Sequence, residues 1–193
     1  MKKLLFMCVS FIISTNLFSQ ELITQQNINQ VVDAWLLDSI STEVEYGHIS
    51  DWDVSSVTNM NLLFYYAQNF TGDISSWDVS NVTSMNNMFS YVANFNGDIS
   101  SWDVSNVTSM YQMFSYATSF NQDLSNWDVS NLISTSSMFS GATSFNHDLS
   151  DWDVSNVTNA TDIFEGATSM EESHKPIFNS LTTTTTGGTS TTT

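Results

Sequence analysis

The chain has 193 residues, enough for one domain with its own core, and 41% of them are hydrophobic, which argues against a chain disordered overall. Only 12% are charged, with 20 Asp and Glu against 3 Lys and Arg, for a net charge of −17. A chain so acidic offers no basic face to nucleic-acid phosphates or to an anionic membrane surface.

At the N-terminus Lys2 and Lys3 precede an apolar run over residues 4–13, followed by small and polar residues 14–20. Basic, apolar, then cleavable is the order of a signal peptide, and residues 1–19 are expected to be one. The run is too short to span a membrane comfortably, so no membrane insertion of the mature chain is expected. The single cysteine, Cys8, lies inside the run behind Met7, which is not the small residue that a lipid-attachment site needs. Simple secretion, to the medium or the cell surface, is therefore expected. The mature chain then has no cysteine, and core packing rather than disulfides must hold it.

Next come Ile28, Val31, Val32, Trp35 and Leu36, at i, i+3, i+4, i+7 and i+8, with Asn27 available as N-cap. The spacing predicts a capping helix within residues 20–44, placed to cover the open core of a repeat stack. Trp35 belongs to that stripe rather than to a cofactor site.

From residue 45 the chain repeats. Trp52, Trp77, Trp102, Trp127 and Trp152 stand 25 apart, each followed by Asp-Val-Ser. Phe64, Phe89, Phe114, Phe139 and Phe164 form a second column, and Phe70, Phe95, Phe120 and Phe145, closed by Met170, a third. A period of 20 to 50 residues signals stacked repeats, here over residues 45–170. Met85, Met88, Phe89 and Val92 fall at helical spacing, with Thr83 or Ser84 as a cap, while Trp102-Asp103-Val104-Ser105 alternates as a short strand does. The fold class expected is an α/β repeat solenoid, leucine-rich-repeat-like, of about five turns, each a short parallel strand plus a short helix. A sheet of five such strands would be roughly 24 Å long. Met60, Met85 and Met110 give way to Thr135 and Ala160, which reads as adaptable core filler rather than a ligand groove. The repeat fades after Met170, Pro176 stops a further regular turn, and residues 171–193 read as a cap remnant with a Thr-rich disordered tail.

The unit F-N-x-D-[I/L]-S-x-W-D-V-S-N-V-T-x-M-x-x-M-F-x-x-A resembles the 25-residue repeat of mycoplasma lipoproteins and of BspA-type bacterial surface proteins. Its order Ile99-x-x-Trp102-x-Val104-x-x-Val107 is similar to the leucine-rich pattern, with Val107 where Asn is usual; the polar-ladder role of that Asn falls to Asn106 or is absent. The resemblance implies surface location, a leucine-rich-like solenoid, and adhesion or protein binding.

On the expected strand, Asp53, Asp78, Asp103, Asp128 and Asp153 point outward, with Ser55, Ser80, Ser105, Ser130 and Ser155 beside them. This ladder on the sheet face is the candidate partner-binding surface. Carboxylates about 5 Å apart repel by ~0.8 kcal/mol in water and by ~3 kcal/mol at an effective dielectric of about 20, so solvent, hydrogen bonds or a cation must offset them. A second column, Asp73, Asp98, Asp123 and Asp148, suits turns; calcium is its functional reading, although no calcium-loop spacing is present. No other cofactor is implied. Paired carboxylates hydrolyse glycosides only when their surroundings differ, and near-identical turns give every Asp the same surroundings. His48, His147 and His174 occupy unrelated repeat positions. The chain is therefore expected to be no enzyme but a secreted or cell-surface binding or adhesion module for an extracellular protein or glycan. The alternatives are a structural spacer and, less favoured, a glycoside hydrolase.

Overall fold

The computed structural model describes residues 20–178. The expected signal peptide, residues 1–19, and the Thr-rich end, from residue 179, lie outside the described residues. Two helices open the described chain: α1, Ile28–Leu37, and α2, Ser39–Tyr46. Ile28, Val31 and Val32 of the apolar stripe are buried, while Trp35 is half-buried and Leu36 is exposed. Asn27 stands at the N-cap but makes no capping bond; its Oδ1 accepts from the Thr24 N–H at 2.7 Å instead. Asp38, at φ −151 and ψ 88, breaks the helical run and caps α2, accepting from the Ser41 N–H at 3.2 Å and the Ser41 hydroxyl at 2.6 Å. Gly47, at φ 77 and ψ 178, ends α2 in a conformation open essentially to glycine alone.

A short 3-10 helix, Ile49–Asp51, leads into the repeat. Here the structure corrects the expected α/β solenoid. No α-helix and no extended strand forms between residues 52 and 170; each 25-residue coil is built of successive turns. The expected helix around Met85–Val92 fails because Asn87 and Tyr91 sit in the left-handed region, at φ 56 and 62. The N–H groups of Met88, Ser90 and Val92 bond back three residues, at 3.1–3.3 Å. The alternate N–H groups, of Met85, Asn87, Phe89 and Tyr91, donate to the carbonyls of Ser109, Tyr111, Met113 and Ser115 in the next coil, at 2.8–3.0 Å. A helix would spend all of these donors on itself. Here half of them tie coil to coil, and the Asn, Ser and Tyr between the apolar residues are poor helix formers that permit it. Thr83 and Ser84 therefore cap nothing, and Ser84 forms a bridge instead.

The expected sheet is absent as well. Trp102 and Val104 are buried and Asp103 is exposed, as alternation requires, yet this segment makes no ladder. The parallel pairing is a column of isolated bridges elsewhere, Asn59 to Ser84 to Ser109 to Ser134 to Asn159. Side chains complete the coil-to-coil bonding. Asn81, Asn106, Asn131 and Asn156 each donate from Nδ2 to a carbonyl of the preceding coil, at 2.8–2.9 Å.

The core lies inside the stack. Phe64, Phe89, Phe114, Phe139 and Phe164 follow one another at 5.5–5.7 Å between ring centroids, within 11° of parallel. The second column fills the gaps: Phe89 and Phe95, for example, are 4.1 Å apart. Each such pair contributes about 0.5–1.5 kcal/mol beyond the area it buries. The indole N–H groups of Trp77, Trp102, Trp127 and Trp152 each reach a carbonyl of the preceding coil at 2.9–3.2 Å, so burying the ring leaves no donor unpaired.

Candidate functional site

Both Asp columns fall on exposed turns rather than on a sheet face. Asp53, Asp78, Asp103, Asp128 and Asp153 each accept from the backbone N–H two residues on, that of Ser55, Ser80, Ser105, Ser130 and Ser155, at 3.0–3.1 Å. In the first four of these turns the serine hydroxyl adds a bond at 2.6–2.7 Å. Asp73, Asp98, Asp123 and Asp148 do the same with Ser75, Ser100, Ser125 and Ser150 at 2.9–3.0 Å. The Ser80 hydroxyl and then its N–H hold the Asp78 carboxyl below its ordinary value, and the same pair of donors does so at Asp53, Asp128 and Asp153. At Asp73 and Asp123 the backbone N–H is the larger cause. These carboxylates are therefore occupied locally, each closing its own turn. Among the described residues no three His, Cys, Asp or Glu side chains converge as a metal cage.

The cap shapes a second feature. Trp35 donates from Nε1 to Glu43 Oε1 at 3.2 Å and meets Phe70 edge-on at 5.9 Å. Trp35 and Phe70, with His48, Asn69 and Asp73, line an open cleft of about 700 Å³ between α1 and the first coil.

A third feature was not anticipated from the sequence. Tyr66, Tyr91 and Tyr116 stack on the outside of the molecule, with centroids 4.5 and 4.8 Å apart and planes within 10°. Tyr65 meets Tyr66 edge-on at 4.6 Å. Tyr66 is 52% exposed and Tyr116 48%. Burial between its two neighbours pushes the Tyr91 phenol up from its ordinary value. All three stacked tyrosines sit in the left-handed region, at φ 62, 62 and 57. The same position in the fourth and fifth coils is Gly141 and Gly166, at φ 71 and 72. A Cβ on Gly141 would come within 2.8 Å of the Tyr116 ring, so the glycine also makes room for the end of the row. The left-handed conformation costs a residue with a side chain roughly 1–2 kcal/mol, so at this position three coils carry a strain that two avoid, whereas Leu62, Asn87, Gln112, Ser137 and Asp162 carry it at a second position in every coil. The signal was present in the sequence as a 25-residue column of Tyr, Tyr, Tyr, Gly, Gly, since a glycine standing in for a large residue marks a left-handed backbone position.

A family model described as "Mycoplasma protein of unknown function, DUF285" matches residues 36–140 and 118–185, well over half of the chain. The chain belongs to this family. The two matches overlap, as expected where a repeat model can be laid on the same coils in more than one register. No curated protein and no solved structure matches the chain.

Proposed function

We propose that the chain is a non-catalytic, extracellular binding module of the BspA type, delivered by the signal peptide expected at residues 1–19, and that it takes a protein or glycan partner on the tyrosine row. The observation that carries this reading is the strained backbone under Tyr66, Tyr91 and Tyr116, in a chain that uses glycine at the same position elsewhere. Because every coil also holds a left-handed residue with a side chain, at Leu62, Asn87, Gln112, Ser137 and Asp162, the strain supports the reading only together with the exposed stack that these three tyrosines form. Stacked tyrosines also give a partner what it needs: large, rigid, amphipathic area at little entropic cost. The Asp columns play the lesser part, because each carboxylate already serves its own turn and a partner must compete with that bonding.

The test is binding of the full chain to an array of extracellular proteins and glycans, alongside the variant Tyr66→Gly, Tyr91→Gly, Tyr116→Gly. Glycine is the residue that the fourth and fifth coils use, so the fold is kept. Ligands of the unaltered chain should be lost by the variant, and Asp103→Asn with Asp128→Asn should weaken them less. Ligands retained in full by the tyrosine variant would remove the row from the reading.

A further inference from the structure

In each of the first four coils, four backbone N–H groups donate to carbonyls 24 residues on. In the fourth coil these are Thr135, Ser137, Phe139 and Gly141, bonded to Asn159, Thr161, Ile163 and Glu165 at 2.7–2.8 Å. The same positions in the fifth coil are Ala160, Asp162, Phe164 and Gly166, and none of their N–H groups has a partner among the described residues. The backbone keeps the conformation of the repeat there. Asp162 and Gly166 stand at φ 55 and 72, against 53 and 71 at Ser137 and Gly141. The four donors therefore point off the end of the stack. Behind them lies the last apolar layer, in which Phe164 is only partly buried and Ile163 and Ala167 are 8% and 7% exposed, where most of the interior is below 5%. Residues 171–178 cover the other flank: the Leu149 N–H donates to the His174 carbonyl at 2.8 Å, and Lys175 Nζ lies 5.6 Å from the Phe164 ring centre.

We propose that this row is a docking edge for an extended polypeptide segment of one kind: a coil of the same 25-residue repeat, presented uncapped by another chain. A row of aligned donors is a template for a segment that presents carbonyls at matching spacing, and the four internal interfaces show which segment fits. A second copy of this chain does not. Two of its four matching first-coil carbonyls, those of Asn59 and Asn61, already accept from Gln25 Nε2 at 3.0 Å and Asn29 Nδ2 at 3.4 Å, on the segment that precedes the repeat. Two last coils set face to face would oppose N–H to N–H. Carried on by the 25-residue period, this chain's own sequence puts Thr185, Gly188 and Thr189 at the core positions of Ala160, Ile163 and Phe164, without the apolar bulk to fill the layer. Asp162 and Glu165 lie on the edge, so basic flanks favour the partner. The proposal does not use the tyrosine row and stands or falls apart from it.

The experiment is amide hydrogen exchange on the full chain, read residue by residue by NMR, with and without a synthetic probe. The probe is the peptide of residues 107–120 with two lysines at each end. It carries the carbonyls of Ser109, Tyr111, Met113 and Ser115 that serve the internal interface. At millimolar peptide, exchange at Ala160, Asp162, Phe164 and Gly166 should slow about tenfold or more, while first-coil amides stay unchanged. A scrambled peptide of the same composition should do nothing. No protection at these four amides, or equal protection by the scrambled peptide, would overturn the proposal.

Discussion

The Phe column inside the stack and the Tyr column outside it follow the same rule with opposite consequences. Both place one ring per coil, and both stack nearly parallel. The Phe rings continue through all five coils, fully buried in the first four and partly buried at Phe164, and take ordinary backbone conformations. The Tyr rings are half-exposed, stop after three coils, and require a left-handed backbone. Stacking by itself is thus a by-product of exact repetition. What separates the two columns is how far the ring repays its own placement in folding energy.

Cutting each column once makes the contrast measurable. Phe114→Ala removes a fully buried ring that touches Phe89, Phe120, Phe139 and Trp127. A loss of about 3–5 kcal/mol is expected in urea unfolding. A loss below ~2 kcal/mol would mean that the interior relaxes into the gap, and that the Phe column is less close-packed than its geometry implies.

Tyr91→Gly should cost far less. It gives up two stacking contacts of about 0.5–1.5 kcal/mol each and relieves left-handed strain of about 1–2 kcal/mol. Glycine then returns about 0.5–1 kcal/mol to the unfolded chain. The net change should be a loss of about 1 kcal/mol, well short of that of Phe114→Ala. A loss as large as that of Phe114→Ala would make Tyr91 a structural residue and remove the argument from strain.

These two columns also show how much the sequence told. The 25-residue period, the Trp and Phe columns and the apolar stripe of α1 were legible, because burial leaves its mark in residue type. The local backbone was not. Met85, Met88, Phe89 and Val92 have helical spacing, but the same spacing arises when left-handed residues at Asn87 and Tyr91 fold the chain into turns. Likewise Trp102 and Val104 face inward whether or not Asp103 belongs to a strand, and it was the Asp103–Ser105 bond that made a turn there. Periodicity reports which side chains share a face, and it is silent on where the backbone donors go. The tyrosine row was missed for a different reason: the column changes from Tyr to Gly, and a search for conserved bulk passes over it.

The Asp columns give the smallest expected effect and the clearest sign. Serine donors lower the carboxyls of Asp53, Asp78, Asp98, Asp128, Asp148 and Asp153 in the folded chain, from an ordinary value of 3.8. A group so lowered adds stability that is present above its unfolded value and is lost as pH falls through its folded one. Stability should therefore hold from neutrality down to about pH 4 and decline below it. The acidity of the chain pulls the other way, since protonation relieves repulsion between neighbours. At Asp78, however, the charge of Asp53 is the weakest of four influences, behind the Ser80 hydroxyl, the Ser80 N–H and desolvation. Hydrogen bonding should therefore set the direction. The triple variant Asp78→Asn, Asp128→Asn, Asp153→Asn keeps an acceptor oxygen in each turn and removes the titration. Its thermal midpoint should fall less steeply between about pH 4 and pH 2 than that of the unaltered chain. A steeper fall, or a midpoint that rises on acidification in the unaltered chain, would mean that repulsion governs the columns and that the turns hold despite their charge.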